Sequence, residues 1–228
     1  MPLGDPSQDR RAARHQATKL EIIDAAWEVA RERGLAGLTL GDVAARVGMR
    51  VPSLYTYFAS KNAIYDAMFA QGNEEFLEFI KLRTAELPHG ARDRLRAGFR
   101  IFFDFCTSDP VRYLLLFQRT IPGFEPSEAS YAKAIEVLEI FGTNLASAGL
   151  ALDQADEDLL TAVSSGLVDQ QIANDPGGDR WGRLVEEVAD MAYDHLMRKK
   201  RKSARRDGHR SVSDRLRGHN ESRRSRRR

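Results

Sequence analysis

The chain has 228 residues, 42% of them hydrophobic and 30% charged, with a formal net charge of +2. It is long enough to bury a sizeable core. No run approaches the roughly 18 to 20 apolar residues of a membrane span, and Cys106, the single cysteine, excludes an intrachain disulfide and suits a reducing compartment.

The small total conceals segregation. Residues 62–197 carry eleven Lys or Arg against twenty-three Asp or Glu, whereas residues 198–228 carry fifteen against three. The acidic middle is a poor nucleic-acid surface, and the basic end is drawn to polyanions or to that acidic middle.

Residues 1–16 mix Pro, Gly, Asp and Arg without an apolar period or a signal-like core, and are expected to form a flexible basic arm. From Ala17 onward, Leu20, Ile23, Trp27 and Ala30, with Ile22, Ala26 and Val29 beside them, predict a helix that ends at Gly34. Thr39 reads as an N-cap with Asp42 three residues on, opening a short second helix over 40–47 that stops at Gly48. Pro52, tolerated in a first turn, opens a third helix over 51–58 that turns Leu54 and Phe58 inward. Ser60 caps a long fourth helix, 61–87, which Gly72 is expected to loosen.

Beyond the break at Pro88 and Gly90, a fifth helix is predicted over 91–107, a sixth over 110–118, a seventh over 128–148, an eighth over 153–173 and a ninth over 180–200. No segment alternates long enough for a sheet. The fold class is therefore all-α, about nine helices. Residues 201–228 have hardly any apolar side chain and are expected to be a disordered basic tail. That tail has two readings: non-specific attraction to the DNA backbone, or folding back on the acidic body.

The second and third helices with their glycine turn have the layout of a helix-turn-helix. Such a unit needs a polar tip for the major groove and an apolar rear. Leu54 and Phe58 supply the rear. Arg50, Val51, Pro52, Ser53, Thr56 and Tyr57 are the forward candidates: Arg50 for a guanine edge or phosphate, Ser53 and Thr56 through their hydroxyls, Val51 and Pro52 for thymine methyls. Tyr55 and Tyr57 suit phosphates better than bases. Lys61, at the start of the fourth helix, and Thr39, at the start of the second, are placed to hold phosphates on either side. Arg10, Arg11 and Arg14 of the arm are further phosphate or minor-groove candidates.

The string from Thr39 through Leu40, Asp42, Val43, Ala44, Val47, Gly48 and Met49, followed by Ser53, Leu54, Tyr55, Tyr57, Phe58, Ser60 and Lys61, resembles the DNA-binding region of tetracycline-repressor-like (TetR/AcrR) regulators. The likeness covers about residues 19–66. It implies that Tyr55, Tyr57 and Lys61 hold phosphates while residues 50–53 meet the groove. Arg50 departs from the small hydroxylated residue common there as a helix cap; loss of the cap and exchange for a DNA contact are both open.

The resemblance further implies a helix-turn-helix domain over 17–65 and a regulatory and dimerisation domain over 66–200, whose last two helices pair with those of a second copy. Leu160, Val163, Leu167, Val185, Val188 and Ala192 are the interface residues expected on that basis. The density of aromatic residues in the fifth to seventh helices points to an apolar cavity or to ordinary core packing. Phe99, Phe102, Phe103, Cys106, Tyr113, Phe117 and Phe141 are the ligand-binding candidates, with Arg100, Asp104, Gln118, Arg119 and Gln170 as polar partners.

Catalysis finds no support: His15, His89, His195, His209 and His219 are scattered, and neither HExxH nor a phosphate-binding glycine loop occurs. The expectation is a cytoplasmic, homodimeric DNA-binding regulator, a repressor released from a palindromic operator by a small apolar or aromatic molecule, with no metal, cofactor or membrane partner. The alternative is a constitutive or architectural DNA-binding protein without an effector.

Overall fold

The computed structural model describes residues 6–84, 86 and 88–202, and among these every regular element is helical. The first helix, α1, spans Pro6–Arg33. Over its first eleven residues it replaces the flexible arm expected there. Proline is pre-set for the first helical turn, no further Pro or Gly occurs before Gly34, and Ala, Arg and Gln in between are strong helix formers. The periodicity missed this part because residues 10–17 are all exposed and offer no buried apolar stripe to read. Gly34 ends the helix at φ 75°.

α2 (Leu40–Arg46) is capped by Thr39, whose hydroxyl accepts from the Asp42 N–H. The chain turns at Gly48, φ 68°, and Met49 N–H donates back to Ala44 C=O at 2.8 Å. α3 is shorter than expected, Val51–Leu54, and continues as turns in which Tyr57 and Phe58 N–H both donate to Leu54 C=O. α4 (Lys61–Arg83) is capped by Ser60.

The body follows with α5 (Ala91–Ser108), α6 (Pro110–Phe117, capped by Asp109), α7 (Glu128–Ser147, capped by Ser127) and α8 (Gln154–Asn174). Asp153 and Asp156 form a capping box on α8. A 3₁₀ turn at Gly182–Leu184 runs into α9, residues 185–202. α9 thus carries the first two residues of the expected tail; the rest of the tail lies outside the described residues.

Two apolar cores share elements. One gathers Ile22, Trp27, Leu38, Val43, Leu54 and Ile64 around α1 to α4; the other gathers Phe76, Leu95, Phe105, Leu145, Leu160 and Leu196 around α4 to α9. α4 belongs to both, through Ile64 and Met68 near its start and Phe76 and Ile80 near its end. The domain boundary expected after residue 65 therefore falls inside a helix.

α6 is the second shared element. Its Leu115 is buried in the first core and Leu114 packs against both. Arg31 at the end of α1 pairs with Asp109 at 2.7 Å. Gly72, instead of loosening α4, lies against α6: a Cβ there would lie 3.1 Å from Leu116 Cδ2.

Candidate nucleic-acid interface and effector cavity

The tip of the first unit is built by a short helix whose forward residues are exposed. Arg50 sits at the N-cap position in extended conformation, φ −88° and ψ 147°, and its side chain makes no cap hydrogen bond. The cap is lost, and the guanidinium extends from an exposed residue. Pro52, Ser53, Tyr55 and Thr56 are exposed beside it, while Val51 and Tyr57 are half-buried against the core behind them. Seven of the nine predicted contact residues thus stand at one tip: Arg50, Pro52, Ser53, Tyr55 and Thr56 exposed, with Val51 and Tyr57 behind them.

Thr39 and Lys61 are placed differently. The Thr39 hydroxyl accepts from the Asp42 N–H and donates to Asp42 Oδ2 at 2.6 Å, so its proton is taken. Lys61 Nζ donates to Leu38 C=O at 3.2 Å and lies 5.5 Å from the Tyr65 ring centroid. An ammonium has three donors, so that bond leaves two for a phosphate. Other cations nearby are neutralised: Arg33 by Asp42, and Arg46 by Glu28 and Glu32. The hydrogen bond from Arg46 holds the Glu32 carboxyl below its usual range.

His15 is a residue the sequence reading missed here. Its ring stacks on Tyr57, centroids 4.7 Å apart and planes at 22°. One turn on, Lys19 Nζ lies 5.6 Å from the Phe58 ring centroid. These contacts seat the early part of α1 on the recognition unit. The signal available was the i, i+4 spacing of Arg11, His15 and Lys19, which puts a basic stripe on one helix face.

In the body, a half-open cavity of about 180 Å³ lies among α4 to α8. Phe99, Phe102, Phe117 and Phe141 of the ligand-binding candidates line it. Phe103, Cys106 and Tyr113 do not. One residue along a helix is about 100° of rotation, so neighbours of lining residues face elsewhere. Phe103 packs toward Gly182, at the turn before α9. Cys106 is sealed in the core, where burial pushes its thiol pKa up. Tyr113 donates to Asp169 Oδ1 at 2.7 Å and accepts from Gln118 at 2.9 Å; burial first, then the bond to Asp169, raises its phenol pKa.

Arg100, Asp104, Gln118, Arg119 and Gln170 are absent from the lining; its polar residues are Thr84, Arg94, Asn144, Glu157, Thr161, Ser164 and Ser165. The cavity is therefore two-ended. Phe76, Phe102 and Phe117 close the end toward α6, while Thr84, Arg94, Asn144 and Glu157 sit at the far end, where α4 and α7 finish and α5 and α8 begin.

Residues 22–68, which hold the helix-turn-helix, match the profile of the bacterial regulatory proteins of the tetR family. Over that segment the chain is similar to that family. The HTH-type transcriptional activator FasR of Mycolicibacterium smegmatis is 31% identical over 134 residues, 58% of this chain and 59% of that protein. The chain thus spans about three fifths of the length of the curated relatives it matches. Two solved structures share the fold: the regulatory protein SCO4313, with TM-score 0.64 and 19% identity over 79% of this chain and 97% of that one, and FadR from Bacillus subtilis in complex with stearoyl-CoA, with TM-score 0.57 and 20% identity over 76% and 96%. These relatives are regulators, not enzymes.

The residues expected at a dimer interface are mostly internal to this chain. Leu160, Leu167, Val185 and Ala192 are buried in the chain's own core, Val163 and Val188 are half-buried against it, and Leu160 also lines the cavity. α8 and α9 are apolar on more than one side, and sequence alone does not say which side turns inward. The outward side of α8 presents Ala162, Gly166 and Ala173, and α9 presents Met191, which is 64% exposed. A Cβ on Gly166 would meet nothing within 4 Å, so nothing in the chain itself requires glycine there.

Proposed function

We propose that the chain is a cytoplasmic, homodimeric, effector-responsive DNA-binding regulator. The observation that carries this reading is the position of α6: it joins the recognition unit through Leu115 and the Arg31–Asp109 pair, and it joins the cavity through Phe117. An occupant pressing on Phe117 displaces the element that braces α1 and α4. Copies joined through the outward face of α8, with Ala162, Gly166 and Ala173 allowing close approach, present two recognition tips to a palindrome with half-sites about 34 to 36 Å apart, or a multiple. A change in that spacing weakens both contacts together, a coupling of about 1 to 3 kcal/mol.

Arg50 and Ser53 read bases; Tyr55, Tyr57 and Lys61 hold phosphates. In this reading the regulator is a repressor, and an apolar or aromatic molecule in the cavity releases it. The stearoyl-CoA bound by the FadR neighbour supports an apolar occupant. The activator name of the FasR relative favours a second sign, in which the bound protein promotes transcription. A promoter-fusion reporter with and without the gene decides between them.

The central test is anisotropy with duplexes selected from a random pool. Arg50→Ala should change the preferred base at one position by about 1 to 3 kcal/mol, and Lys61→Ala should weaken all duplexes alike and reduce the salt slope by about one. Unchanged affinity in both variants refutes the interface, and a monomer at working concentration refutes the doubling.

A further inference from the structure

We infer that the effector is an amphiphile with a single carboxylate head, and that Arg94 is the residue that receives it. This rests on the reading of the cavity as an effector site and adds the chemical class of the ligand. Arg94 is the one cation among the described lining residues. It is half-buried and rigidly held: Nε donates to Pro88 C=O at 2.6 Å, and Nη1 donates to Asn144 C=O at 2.7 Å and to Ser147 Oγ at 2.6 Å. All three acceptors are neutral.

A guanidinium has five N–H donors. Three are occupied, and the two on Nη2 have no partner among the described residues. The other arginines of α5 differ. Arg92 and Arg96 are paired with Asp190, and Arg100 has Asp104 within 3.8 Å. Of these four, Arg94 alone has no carboxylate partner among the described residues, and it stands at the polar end of a cavity whose opposite end is phenylalanine. A charge-assisted bond to a carboxylate is the strong interaction that this arrangement leaves open.

Glu157 sets the limit on charge. It is the one acid among the described lining residues, it is exposed, and its Oε1 lies 3.8 Å from where a Cβ on Gly142 would stand. It has no ion pair among the described residues, and it opposes a second negative charge on the ligand. A monoanion is therefore favoured over a phosphate monoester. The apolar part of the ligand runs toward Phe117 and α6, so the head anchors the molecule while the chain end reaches the element joined to the recognition unit. Leu138, 62% exposed while lining the cavity, marks the open side where a longer chain emerges.

Calorimetric titration of the full chain with octanoate, octyl phosphate, 1-octanol and octylamine at neutral pH tests this with one tail and four heads. Octanoate should bind at least about tenfold tighter than the alcohol and the amine, and more tightly than octyl phosphate. Arg94→Gln should abolish that preference and Arg94→Lys should retain part of it; Glu157→Gln should bring octyl phosphate closer to octanoate. The wild-type head series stands even where an Arg94 variant folds poorly. Equal binding of all four heads overturns the role of Arg94 while leaving the cavity as an effector site; tighter octyl phosphate overturns the carboxylate; no binding of any head overturns the effector reading as well.

Discussion

Gly98 offers a direct measurement of whether the cavity is shaped by the residues assigned to it. An added Cβ would lie 2.3 Å from Phe141 Cε2, 3.1 Å from Cδ2 and 3.4 Å from Cζ. Carbon atoms rest at about 3.5 to 4.0 Å, so in Gly98→Ala the ring must retreat by more than an ångström. The cavity that it lines gives it room to do so. Overpacking of this kind costs about 1 to 3 kcal/mol, partly offset by the ~1 kcal/mol gained when alanine replaces glycine within a helix. The expected net loss is about 0 to 2 kcal/mol in urea unfolding, together with weaker fluorescence of anilinonaphthalene sulfonate bound to the folded protein. In a Phe141→Ala background the clash is gone, so Gly98→Ala should become stabilising by up to ~1 kcal/mol. A destabilising effect of the same size in both backgrounds would falsify the assignment of Phe141 as the ring that meets Gly98.

Gln171, 2% exposed, accepts from the N–H groups of Trp181 and Gly182 and donates to the carbonyls of Asp175 and Gly178. Gln171→Leu leaves the Trp181 and Gly182 N–H groups unmatched and should lower the unfolding free energy by about 2 to 6 kcal/mol, given ~1 to 3 for each unsatisfied buried group; a loss below about 1 kcal/mol contradicts this count. The Asp190 carboxyl is held below its usual range by hydrogen bonds from Arg96 first and Arg92 second. Its stabilising effect is therefore complete above the ordinary carboxylate range and lost as pH falls through the folded value. Asp190→Asn should make the acid limb of a thermal-denaturation profile shallower, and an unaltered limb removes the pair from the account. His15→Ala frees the first turns of α1 from Tyr57 and should reduce affinity for flanked operator duplexes more than for duplexes trimmed to the palindrome; equal loss on both means that the stack acts only within the recognition unit.

Among the described residues the all-α organisation was legible because most boundaries carry chemistry of their own: Thr39, Ser60 and Ser127 as caps, Pro110 in a first turn, Gly34 and Gly48 in left-handed turns. The start of α1 was not legible, since an exposed helix has no apolar period to read. α3 ended early because Tyr55 to Tyr57 continue as turns, which share the inward spacing of Leu54 and Phe58 with a helix. At the cavity, the sequence marked aromatic density but not facing, so Phe99 and Phe102 were grouped with Phe103 and Cys106, which point elsewhere. Arg94 was missed for a different reason. A charged residue in a first helical turn looks like any solvated one until Pro88, Asn144 and Ser147 are seen to converge on it from other segments.

Leu114, packed against both cores, bears on any attempt to exchange reading heads between such proteins. A graft that transplants residues up to the middle of α4 brings along the host surfaces for Ile64 and Met68 but leaves Val111, Leu114 and Leu115 behind on the recipient. The chimera then inherits a mismatched seam under its new specificity. A donor segment fits this recipient only if α6 travels with it, so the unit of exchange is discontinuous in sequence.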